Sequence, residues 1–136
     1  MADIVDLTAA QITRSLSDGE FTTVEVVESF LARIDSLDPQ LQAWVHVDRE
    51  GALAVAEGRR RELENGSTLG LLHGVPIGIK DIFHSQGMPT TACSAAYETL
   101  VPSYDATSVA LLKKAGAIML GKTVTTEFAW TDPSPT

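Results

Sequence analysis

Apolar residues recur every three or four positions through the first third of the chain, then give way to short continuous apolar runs. Val24, Val27, Leu31 and Ile34 fall on one face of a helix. Ahead of them, Thr22 stands as N-cap with Glu25 three residues on, and Phe21 is spaced to meet Val26. That is a capping box with a hydrophobic staple, which satisfies orphan backbone donors and sets the chain's angle of entry. Leu7, Thr8, Gln11 and Ile12 repeat the arrangement. The pattern predicts one helix from Thr8 to Asp18-Gly19 and a second from Thr22 to about Asp38-Pro39. Trp44–Val47 reads as a short strand or an extended packing segment. A third helix is expected over Asp48 to Glu64, with its stop at Asn65-Gly66.

Beyond Gly70 the texture changes. Val75-Pro76-Ile77-Gly78-Ile79 is nearly all apolar, as in a strand buried on both sheet faces, and Pro76 is tolerable only near its start. A hydroxyl-rich stretch around Pro89-Thr90-Thr91-Ala92-Cys93-Ser94 follows. Asp105 is placed to cap a helix through about Ala115, closed by Gly116. Ala117-Ile118-Met119-Leu120 makes another apolar strand, which Gly121 is expected to break. Strand, loop, helix and strand imply a βαβ unit, so the fold class is α/β, with N-terminal helices and a largely parallel sheet beginning here. We read residues 1–66 as a helical layer and 70–136 as the first βαβ portion of the same domain. Asp132-Pro133-Ser134-Pro135-Thr136 has the look of an open connection.

Composition narrows the function classes. A chain of 136 residues with 44% hydrophobic residues can form one globular domain. It has no apolar run of the roughly 18 residues a membrane span needs. The first residues are acidic where a secretion signal would be basic, so a cytoplasmic location away from membranes is expected. For the same reason the sequon Asn65-Gly66-Ser67 reads as a turn and not as a glycosylation site. A net charge of −8 argues against nucleic acid as a direct partner. Arg59-Arg60-Arg61, late in a helix, reads as a solvated face. Cys93 is the one cysteine, which excludes an intrachain disulfide. His46, His73 and His84 lack metal-ligand spacing, so no metal or other cofactor is expected. His73, beside Gly74, reads as structural or loop-exposed.

Lys80 is the most informative residue. Strand alternation places Pro76, Gly78 and Lys80 on one face and Ile77, Ile79 and Asp81 on the other. Asp81 is therefore not the obvious partner of Lys80, and Gly78 should leave the surface before it bare. A lysine there would be partly desolvated, which favours the neutral amine and suits it to take a proton from a hydroxyl nucleophile. On the local pattern alone the other reading, a lysine snorkelling to solvent or pairing with a distant carboxylate, is the commoner one.

Competing motifs are weaker. Gly116 to Thr123 satisfies the pattern G-x-x-x-x-G-K-[ST] of a phosphate-binding loop. Its four intervening residues are themselves the apolar strand-former, and a helix precedes the motif, the reverse of a phosphate-binding context. Lys80, Cys93 and Glu127 could compose a Glu-Lys-Cys amide hydrolase, but no spacing brings them together and a lone cysteine is commonly inert packing. There is no G-x-S-x-G elbow. Thr91 and Ser94 are candidates to line a site or, equally, to form turns.

The run Leu72-His73-Gly74-Val75-Pro76-Ile77-Gly78-Ile79-Lys80-Asp81 resembles the lysine-bearing segment of the amidase signature family. Further pieces keep family order and spacing: Gly87-Met88-Pro89-Thr90-Thr91, Pro102, Asp105-Ala106-Thr107, Leu111 to Ala117, Gly121-Lys122-Thr123 and Glu127-Phe128-Ala129. The resemblance implies an α/β fold with a mixed sheet flanked by helices. It implies amide-bond hydrolysis by a Ser–cis-Ser–Lys triad, with Lys80 the general base acting through a bridging serine. The Gly/Ser-rich segment that carries the family's serines and oxyanion donors is not matched here, so the chain is expected to supply the lysine and to be inactive alone. A small-molecule amide is the implied substrate, and a homo-oligomer stays open. Alternatives are the amidase subunit of a tRNA-dependent amidotransferase and a short non-catalytic binding or assembly module. Cys93 stands where the family commonly has glycine, and Val124 where it commonly has asparagine.

Overall fold

A computed structural model describes residues 3–67 and 69–131 of the chain. Helices α1 (Ala9–Ser17) and α2 (Thr23–Leu41) both open on the expected boxes. Gln11 N–H donates to Thr8 Oγ1 at 3.3 Å while Thr8 N–H donates to Gln11 Oε1 at 2.9 Å. Glu25 and Thr22 exchange the same bonds at 3.1 and 2.7 Å. Leu7 and Phe21 pack against the cluster that holds Ile12 and Val26. The second helix does not stop at Pro39, as expected from the sequence, but runs on to Leu41. Pro39 forgoes one hydrogen bond, and the turn closes around it through Gln42 N–H to the Asp38 carbonyl at 2.8 Å. Gln42 then takes a left-handed conformation, and the Asp38 carboxylate accepts the Ala43 N–H at 2.7 Å.

Strand β1 (Trp44–Val47) leads into α3 (Arg49–Glu64), which Asp48 caps by accepting from Gly51 N–H at 3.0 Å. Strand β2 (Pro76–Lys80), helix α4 (Thr107–Lys114) and strand β3 (Ile118–Thr123) form the βαβ unit. The three-stranded sheet has the order β1-β3-β2, with β2 parallel and β1 antiparallel to β3, so the architecture is α/β with a mixed sheet. Asp105 does not cap α4. Ala106 occupies that position, and the Asp105 carboxylate instead accepts Gln86 N–H at 2.8 Å and pairs with Lys113 at 2.7 Å.

The strand buried on both faces is β3 and not β2. All of Ile118–Lys122 is buried, whereas in β2 Ile79 is buried but Gly78 and Lys80 are exposed. The reason is topological: β3 lies between the other two strands, and β2 is at an edge. Ile118 and Leu120 join Val27, Leu31, Ala52 and Ala56 of α2 and α3 on one side. Met119, with Ala117 just before β3, joins Ile79, Met88 and Val109 on the side of α4.

Gly121 does not break β3. Its φ of +154° and the register shift against β2 mark a β-bulge through which the strand continues to Thr123. Met119 pairs with Ile77 and Lys122 with Ile79, although the residues lie three apart in β3 and two apart in β2. The bulge therefore reverses the alternation, and Lys122 falls on the face of Met119, away from Leu120. Among the described residues no helix is long and apolar enough to cross a membrane. Asp132–Thr136, the expected open connection, lie outside the described residues.

Candidate active site

Lys80 is the last residue of β2, opposite Thr123 of β3, and its side chain is exposed. The surface before it is not bare. A Cβ on Gly78 would lie 2.8 Å from both Trp44 Cη2 and Thr123 Cγ2, so an indole ring packs over the notch. The desolvation expected of Lys80 is not supplied by the described residues. What they do supply is a fixed point of emergence at the strand's end.

The buried lysine of the region is Lys122. Its side chain and that of Asp81 are both fully buried, with Nζ 3.0 Å from Asp81 Oδ1. Nζ also donates to Thr90 Oγ1 at 2.7 Å. Burial pushes the Lys122 ammonium below its ordinary pKa, and the neighbouring Asp81 carboxylate opposes that shift. Strand alternation does place Asp81 away from Lys80, but its partner on the other face escapes a reading of β2 alone. The available signal is a charged residue in each of two apolar strand segments, which implies pairing because buried charges are rarely left alone.

Asp81 also organises the hydroxyl-rich loop. Its Oδ2 accepts Thr91 Oγ1 at 2.6 Å, Thr91 N–H at 3.0 Å and Cys93 N–H at 3.4 Å, while its carbonyl accepts Ala92 N–H at 2.9 Å. Thr91 is thus held by Asp81. Ser94, 5% exposed, donates to Glu127 Oε1 at 2.6 Å.

Cys93 has φ of +48°, following Ala92 at +51°. A left-handed backbone explains why glycine suits this position; here a cysteine accepts the strain. Its Sγ accepts Thr125 N–H at 3.4 Å. Phe128 and Ala129 form a second left-handed pair, tied to the first by Phe128 N–H to the Ala92 carbonyl at 3.0 Å. Cys93 and Glu127 therefore belong to apposed loops, a proximity that the sequence does not reveal. Val124 donates its N–H to the Ala43 carbonyl at 2.9 Å. Beside these loops lies an open cavity of about 450 Å³ walled by Ile82, Tyr97, Leu100 and Phe128, with His84 and Thr90 as its polar groups.

Other candidates resolve as structural. His73 is 3% exposed, and its Nε2 lies 3.1 Å from the Arg59 carbonyl; burial pushes its pKa down. Arg59 is not on a solvated face: it is half-buried and donates Nη2 to the Lys113 carbonyl at 3.0 Å, binding the end of α4 to α3. Arg60 and Arg61 do reach the helix surface, where both pair with Glu57. The phosphate-loop pattern is strand from Ile118 to Thr123, and its lysine is committed to Asp81. Among the described residues, no group of three or more His, Cys, Asp or Glu side chains could hold a metal ion.

Residues 25–132, well over half of the chain, match the amidase family. The chain belongs to the amidase signature family. A curated relative from Streptomyces coelicolor, a glutamyl-tRNA(Gln) amidotransferase subunit, is 49% identical over 95% of this chain and 26% of its own length. The protein of the same name from Myxococcus xanthus is 44% identical over 93% and 26%. Among solved structures, the peptide amidase of Stenotrophomonas maltophilia superposes with a TM-score of 0.85 at 34% identity, covering 90% of this chain and 26% of that one. A fatty acid amide hydrolase gives 0.82 at 27% identity, over 90% and 22%. This amidase-family chain spans about a quarter of the length of the curated relatives it matches.

Proposed function

We propose that the protein to which these residues belong hydrolyses a small carboxylic amide to a carboxylate and ammonia or an amine, with Lys80 as its general base. The observation that carries this reading is the division of labour between Lys80 and Lys122. Lys122 is buried against Asp81, while Lys80 emerges exposed at the strand end, in the stretch that resembles the family's lysine-bearing segment. In the mechanism the resemblance implies, the Lys80 amine takes a proton from a bridging serine, which takes one from the nucleophilic serine. The nucleophile attacks the amide carbonyl and an acyl-enzyme forms. The leaving nitrogen departs with a proton, and water then releases the carboxylate. The serines and oxyanion donors would come from the length of the relatives that this chain does not span, and these residues alone would be inactive.

Lys80→Ala in the whole protein should lower amide hydrolysis by a factor on the order of 10² to 10⁴ while leaving expression intact, read as released ammonia or amine. Retained activity refutes the assignment.

A second reading is an amidase subunit of a tRNA-dependent amidotransferase, which passes the ammonia onward. The relatives named as glutamyl-tRNA(Gln) amidotransferase subunits favour it. It would add partner subunits and a tRNA-linked acceptor, and it fits a cytoplasmic location. Lys80 keeps the same role in both. Ammonia release that requires the partner subunits and tRNA would select this reading over a free-standing hydrolase.

A further inference from the structure

We infer that Asp81 and Lys122 are positioning residues for Lys80, forming a buried clamp that fixes the point and direction from which the Lys80 side chain leaves the sheet. The inference rests on the reading of Lys80 as the base. A lysine side chain has four rotatable carbons, so its amine can be held at one place only if the backbone beneath it does not move. The residue after Lys80 is fixed through every polar group it has. Asp81 N–H donates to the Thr123 carbonyl at 3.0 Å, and its carbonyl accepts Ala92 N–H at 2.9 Å. Its carboxylate meets Thr91, Cys93 and Lys122. Lys122 in turn holds Thr90 Oγ1 at 2.7 Å and the Pro89 carbonyl at 3.4 Å. One ion pair thus ties the end of β2, the end of β3 and the loop 89–93 together, directly behind the strand face that carries Lys80.

Stability alone is a poor reason for this arrangement. Removing two charges from water costs energy that their attraction offsets only in good geometry, and packed apolar residues often do as well. Here Asp81 Oδ1 faces the Lys122 ammonium at 3.0 Å without an aligned hydrogen bond. The sheet also departs from regular alternation to make the pair: without the bulge at Gly121, Lys122 would point to the side of Leu120, away from Asp81. What the pair secures is placement.

The test uses the whole protein, with any partner subunits, and measures thermal stability, kcat and KM on an amide substrate. Asp81→Asn and Lys122→Met should each lower Tm by leaving one buried charge unpaired. The double variant D81N/K122M removes both charges and should regain Tm over the single variants. Its kcat should stay depressed on the order of tenfold to a hundredfold, with KM little changed, as expected when the base is misplaced by an ångström or less. A double variant with wild-type kcat overturns the inference and leaves the pair purely structural. Lys80→Ala is assayed in parallel. Activity in that variant sinks the base assignment itself, whereas an inactive Lys80→Ala beside a fully active double variant sinks only the clamp. Should the double variant fail to fold, Thr91→Val decides, because it removes the 2.6 Å bond to Asp81 and keeps both charges. A severalfold fall in kcat at constant KM supports the clamp, and an unchanged kcat overturns it.

Discussion

Lys80 and Lys122 look alike along the chain, each at the end of an apolar run, and they live in opposite environments. Alternation suffices to turn Asp81 away from Lys80, because it needs only the geometry of one strand. It cannot say that Lys122 fills the space Asp81 turns towards. From its place beside Gly74, His73 reads as structural or loop-exposed alike, and its burial depends on α3, whose Arg59 carbonyl meets its ring. That burial has a consequence with a definite sign. Its folded-state pKa lies below the ordinary value of about 6.5, so over that interval the unfolded chain binds more protons than the folded one. The stabilisation is complete above the unfolded pKa and is lost as pH falls towards the folded one. His73→Gln should flatten this decline, measured as the urea-unfolding free energy just above and well below the ordinary histidine pKa. A variant whose loss on acidification equals the wild type's would show that His73 does not titrate in this way.

The helices follow their local signals closely. Both capping boxes, the Asp48 cap and the stop at Asn65 depend on residues within one turn, so sequence order alone carries the information. Exceptions arise where a longer-range partner competes. Asp105 is spaced to cap α4, yet Lys113 and the Gln86 N–H hold its carboxylate. Pro39 is a local exception: it is spaced to end α2, yet the C-cap falls at Gln42, whose N–H reaches back across it to the Asp38 carbonyl. Gly121 is the most instructive case, since a glycine in an apolar strand marks a break or a bulge with equal force. The structure makes it a bulge, with a φ of +154° and a backbone so close to β1 that an added Cβ would collide with the His46 carbonyl oxygen. Gly121→Ala should therefore destabilise the fold by about 2 kcal/mol or more, through both backbone strain and that clash. Chemical denaturation of the variant checks this, and a loss within a few tenths of a kcal/mol would refute the bulge as described.

At the scale of the molecule, a mixed α/β sheet with helices on both sides accounts for the amidase family resemblance and disposes of the phosphate-loop pattern. A loop that cradles phosphate must offer free backbone N–H groups. From Ile118 to Thr123 the motif is instead the central strand, its backbone engaged on both sides by β1 and β2. Titration with ATP and magnesium should accordingly give no binding heat and no thermal stabilisation. Saturable binding that disappears in a Lys122→Met variant would contradict this. The likeness to peptide amidase and to the Streptomyces amidotransferase subunit covers nearly all of this chain and about a quarter of theirs.

By itself the sequence determined the helix boundaries set by caps, the βαβ unit, the face that Lys80 shares with Gly78 and, through ordered motifs, the amidase resemblance. Each is encoded within a turn, within one strand's period of two, or in residue order. Only the tertiary structure decided which strand would be central, that Trp44 would cover Gly78, that Gly121 would bulge, and that Lys122 would meet Asp81. Those outcomes depend on contacts between residues far apart in the chain, where the space left by one element selects what the next must place there.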